Sequence, residues 1–108
     1  MTYPNAQNNP AGAIPVYLAS GPVTGKNIPA NGNTQVKTGP GSLSALIVNT
    51  AGVTSTVKFY DGTSAAGTLL ATASTTSQAD LSYGISFTTG LFVVTAGGTP
   101  ADITVTFA

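Results

Sequence analysis

The chain contains no histidine, cysteine, glutamate, arginine or tryptophan. Each absence removes a class of chemistry. Without His, Cys, Glu or Arg, acid–base work falls to Asp, Lys and Tyr alone. A Ser or Thr nucleophile needs an adjacent base, and the three lysines Lys26, Lys37 and Lys58 accompany no serine motif of known geometry. A two-carboxylate glycosidase site would have to recruit two of Asp61, Asp80 and Asp102, and no Asp-x-Asp-x-Asp spacing exists for calcium. The reading is therefore not an enzyme, with no catalytic residue, no cofactor and no metal. Without cysteine there is neither a disulfide nor a thiolate metal site, and redox usage says nothing of compartment.

Charge is nearly missing as well. Charged residues make up 6% of the chain and cancel to a net charge of zero, against about a quarter in an average globular chain. Three lysines cannot neutralise many phosphates, so no nucleic-acid partner is expected. A surface without net charge does not keep copies of the molecule apart, which suits a life in an assembly. No apolar run approaches the roughly 18 residues that span a bilayer, so no membrane partner is expected. The opening MTYPNAQNN lacks the basic start and apolar run of a secretory signal. The product is expected to be soluble and to stay where it is made.

What is present is β-forming. Hydrophobic residues reach 42% and aromatics 7% over 108 residues, enough for one domain with a thin core that leans on partners. The clearest unit is Thr54 to Ser74, TSTVKFYDGTSAAGTLLATAS, two runs joined by a polar connection. Period-2 spacing puts Val57 and Phe59 on the core face and Lys58 and Tyr60 on the other. Asp61-Gly62 opens the connection, with Asp61 bonding local backbone. Leu69, Ala71 and Ala73 are expected on one face of the return strand and Leu70 on the opposite one.

Further strands are read at Gln35–Thr38, Ser42–Asn49, Leu81–Phe87 (with Tyr83 and Ile85 facing inward), Leu91–Val94 as a short buried run, and Asp102–Phe107. The last has Ile103, Val105 and Phe107 inward and its threonines outward. No segment shows helical periodicity. The expectation is an all-β, antiparallel β-sandwich (jelly-roll or Ig-like) of about seven short strands spaced about 8–12 residues apart. Gly97-Gly98 is a loop rather than a phosphate cradle, since no helix follows it. A sugar could stack on Tyr60 and Tyr83 if both were exposed together.

Residues 1–34 carry Pro4, Pro10, Pro15, Pro22 and Pro29 among Asn and Gly. They read as an extended arm, with the sandwich domain at 35–108. The arm's apolar island, Ile14, Pro15, Val16, Tyr17 and Leu18, is a candidate partner-binding segment that inserts into a neighbouring subunit, for instance by adding a strand to an open sheet edge.

Three stretches carry a family likeness: Lys58–Thr68 (KFYDGTSAAGT), Phe87–Thr95 (FTTGLFVVT) and Gly98–Val105 (GTPADITV). Together with the leader Gly12–Tyr17 (GAIPVY) they resemble small virion structural proteins of tailed bacteriophages, most closely capsid decoration (cement) proteins. The resemblance implies a non-enzymatic subunit made in the host bacterial cytoplasm and placed on the outer capsid surface. Its implied partners are the major capsid protein and copies of itself, a trimer among the homo-oligomers, with the arm used for docking. The alternatives are a head-fibre or tail adhesion module that binds a host surface glycan through loops bearing Thr63, Ser64, Gly97 and Gly98, and a head–tail or baseplate accessory subunit.

Overall fold

The computed structural model describes residues 23–108. Among them are eight strands: β1 (Thr24–Ile28), β2 (Gly32–Thr38), β3 (Gly41–Thr50), β4 (Thr56–Asp61), β5 (Thr68–Ser74), β6 (Ala79–Phe87), β7 (Gly90–Ala96) and β8 (Asp102–Phe107). They form two four-stranded antiparallel sheets, β1-β8-β3-β6 (sheet I) and β2-β7-β4-β5 (sheet II). The pairs β4–β5, β3–β6, β2–β7 and β1–β8 are nested, as in one long hairpin rolled into a sandwich. That nesting is a jelly roll and not the Ig-like alternative.

The arm boundary expected at residue 34 moves. Thr24–Ile28 is the edge strand of sheet I, and Gly32–Thr34 begins the edge strand of sheet II. Sequence gives β1 little intrinsic preference, since it reads TGKNI between Pro22 and Pro29. It becomes a strand because β8 offers an open ladder from Ile103 to Phe107, a tertiary effect that outweighs propensity. The island Ile14–Leu18 lies outside the described residues.

Both sheets contribute alternate residues to one core. Sheet I supplies Ile28, Leu43, Leu46, Val48, Phe87, Ile103 and Val105, and sheet II supplies Val57, Phe59, Ala73, Leu91 and Val93. Val57 and Phe59 are fully buried, as expected from their period. The Tyr83 ring meets Phe59 edge-on from the facing sheet, 5.7 Å between centroids, a favoured aromatic geometry. Burial raises the Tyr83 phenol above its ordinary value.

Bulges break the simple alternation in several places, three of which bear on the core. Leu43 and Leu46 both point inward although three residues apart, because Ser44 is the extra residue against β8. Gly84, at φ +83°, takes up an irregularity of β6 opposite Leu43–Ala45. A side chain there would strain the backbone. The third bulge corrects the reading of β5. Phe59 pairs with Ala71 and Tyr60 with Leu69, so Leu70 is the inserted residue and packs on the core. Leu69 is instead 52% exposed on the outside. An inserted residue reverses the facing of everything on its far side.

Candidate functional site: the outer face of sheet II

Alternation across sheet II puts Phe92 and Val94 on its outer face, since Leu91 and Val93 on either side are fully buried within. The run Leu91–Val94, expected to be buried as a whole, therefore straddles the sheet. Register aligns the outward residues into rows. One row runs Gln35, Phe92, Tyr60, Leu69 across β2, β7, β4 and β5, and the next runs Asn33, Val94, Lys58, Thr72. Phe92, Tyr60 and Val94 are half-buried by one another and Leu69 is open. The result is a strip of aromatic and aliphatic surface ending at the β5 edge.

The strip is held from one end by two polar devices. The Gln35 side-chain amide donates to the carbonyls of Lys37 (2.7 Å), Gly62 (3.2 Å) and Leu91 (3.2 Å). The Asp61 carboxylate, expected to serve its own turn, instead reaches the β6–β7 turn. It accepts from the backbone N–H of Thr88 (3.0 Å), Thr89 (2.8 Å) and Gly90 (3.4 Å) and from the Thr88 hydroxyl (3.2 Å). The Thr88 and Thr89 N–H groups hold its pKa below the ordinary carboxylate value, because they bond the charged form.

The outer face of sheet I differs. Its rows are Asn27, Thr104, Ile47, Asp80 and Gly25, Thr106, Ala45, Ser82. Asn27 donates to Asp102 (2.6 Å) and to the Ile103 carbonyl (2.9 Å), and Asn49 donates to the Thr104 hydroxyl (2.9 Å). The two aspartates on this face are thus Asp80 at one edge and Asp102 within an amide network, while Asp61 belongs to the other sheet. Among the described residues there is no cavity and no cluster of three metal-ligating side chains.

The remaining candidates separate in space. Tyr60 faces outward and Tyr83 inward toward Phe59, so they form no joint sugar platform. Thr63 and Ser64 lie in the β4–β5 loop, whereas Gly97 and Gly98 lie at the other end of the sandwich, since Asp61 pairs with Leu91 and Thr56 with Ala96. The Gly97-Gly98 loop is tied down. Gly98 N–H donates to the Val53 carbonyl (3.0 Å) and the Thr54 hydroxyl (3.2 Å), and Asn31 donates to the Gly97 carbonyl (3.1 Å). A side chain on Gly97 would collide with the Ser55 backbone. The same end holds a buried hydroxyl pair, Thr75 to Ser55 at 2.6 Å. Phe92 is the site residue that sequence reasoning missed, because a four-residue apolar run does not reveal whether one face or both are covered.

No family model matches the chain, and no curated protein or solved structure matches it.

Proposed function

We propose that this chain is a non-enzymatic structural subunit of a tailed-phage virion that decorates the outer capsid surface, with the face of sheet II against the shell and the arm reaching neighbouring copies. The observation that carries this reading is the Phe92–Tyr60–Leu69 strip. An apolar strip with an aromatic centre, bordered by the polar residues Gln35, Asn33 and Lys58, has the anatomy of a protein-docking surface. Two of the stretches that carry the family likeness, Lys58–Thr68 and Phe87–Thr95, also form one unit here. They contain most of the adjacent strands β4 and β7, and the Asp61 clamp ties one stretch to the other.

The test is binding to particles stripped of the protein. Full-length chain should cosediment with them, and a reconstruction should show copies spread over the shell. A Phe92→Ser/Tyr60→Ser variant should stay folded and lose that binding. A few copies confined to one vertex would replace decoration with a joining or adhesion role. The arm is tested by removing residues 1–22, which should weaken shell binding. A deletion to 34 would strip β1 and the start of β2 and confound the result.

A further inference from the structure

Among the described residues four strands form the lateral edges of the sandwich, and three of them are guarded. β1 carries Lys26, which shares the inward side of the strand with buried Ile28 yet stays exposed. β2 carries Lys37, opposite fully buried Leu91, and a bulge at Val36. β6 carries Asp80 and the Gly84 irregularity. Charges on the edge and bulges are how sheet edges avoid pairing with other chains. β5, TLLATAS, has neither charge nor proline, and after the Leu70 bulge it runs regularly from Ala71 to Ser74. The apolar row of sheet II ends on it at Leu69.

We infer that β5 is an acceptor edge for the segment Ile14–Leu18 of a second copy of this chain, which adds a fifth strand to sheet II. The segment fits an added strand. With Ile14, Val16 and Leu18 bonded to β5, Pro15 faces away, where its missing N–H costs nothing. The three apolar side chains then share one face and continue the row beyond Leu69.

Chain length selects a second copy over the same one. The short Pro29–Asn31 link sets β1 across from β2, and the Phe59–Tyr83 contact sets β6 over the β4–β5 side. The described chain therefore begins, at Val23, on the side away from β5. Four strand spacings of ~4.8 Å and a sheet separation of ~10 Å put the added position at least ~20 Å away in a straight line through the core. Four residues lie between Leu18 and Val23, and the five steps span at most ~18 Å. The segment falls short of its own β5 and reaches a neighbour's.

This inference deepens the arm reading given above but concerns contact between copies, so it stands or falls apart from shell binding. The chain has no cysteine, so Val16→Cys and Leu69→Cys can be made singly and mixed under oxidation. A disulfide-linked heterodimer forming in preference to either homodimer is expected. Sedimentation of the full chain should show self-association that is lost on deleting 1–22, and lost again in Ala71→Lys, which copies the charge guard of β1 and β2. Three results would overturn the assignment. They are a full chain that is monomeric throughout, association that survives the deletion with Leu69→Cys linking to itself, and a Val16→Cys/Leu69→Cys double variant that links within one monomer.

Discussion

The two outer faces of this sandwich are built from the same fold and carry almost no charge, yet they treat water differently. Sheet I sets Thr, Ser, Asn and Gly around Ile47 and Ala45, and its amides bond Asp102, the Ile103 carbonyl and the Thr104 hydroxyl. Sheet II sets half-buried Phe92, Tyr60 and Val94 beside exposed Leu69 in adjoining rows. A face of short hydroxyls satisfied by its neighbours can remain solvated without lysine or glutamate. An apolar row on an outer face is instead the kind of surface that docking uses. The scarcity of charge thus has two meanings within one molecule.

The comparison can be broken from the inside first. Phe59→Ala empties the position that both sheets share and removes the partner of the Tyr83 ring. It should cost roughly 3–5 kcal/mol in denaturant unfolding; a near-neutral result would mean that the faces of β4 are reversed. Phe92→Ala removes a half-buried ring from sheet II and should cost about 1 kcal/mol, with a larger effect on binding than on stability.

Asp61→Asn is expected to lower the unfolding midpoint at neutral pH by loosening the β6–β7 turn. The folded pKa of Asp61 is depressed, so its contribution is complete above the unfolded value near 3.9. It is lost as pH falls through the lower folded value. Wild type and variant should therefore converge below about pH 4 in a midpoint-versus-pH series. Smallest of all, Asn49→Ala on sheet I should stay within about 0.5 kcal/mol of wild type and leave binding unchanged. A loss of binding there would assign the docking role to the wrong face.

Much of the fold was readable because period-2 spacing is unambiguous where it is clean, as in Asp102–Phe107 and Thr56–Tyr60. Reading failed where the backbone departs from that period. Leu69 and Leu70 exchange roles through one inserted residue, and Phe92 hides within an apolar run whose two faces meet different surroundings. β1 was illegible for another reason: TGKNI has no pattern, and its strand is made by β8. Asp61 was recognised as a turn residue, but its partners are 27 to 29 positions away, beyond any local rule.

The place of β8 in sheet I has a consequence for how the molecule is made. β8 lies between β1 and β3, and Asn27 meets Asp102 across 75 positions. On the ribosome, β1 emerges long before the strand that will hold it, so sheet I cannot close until nearly the whole of the described chain has been synthesised. Such long-range pairing is slow, and domains form as synthesis proceeds. For that interval β1 is tethered but undocked. Chains made side by side on one message therefore meet while β1 is still unpaired.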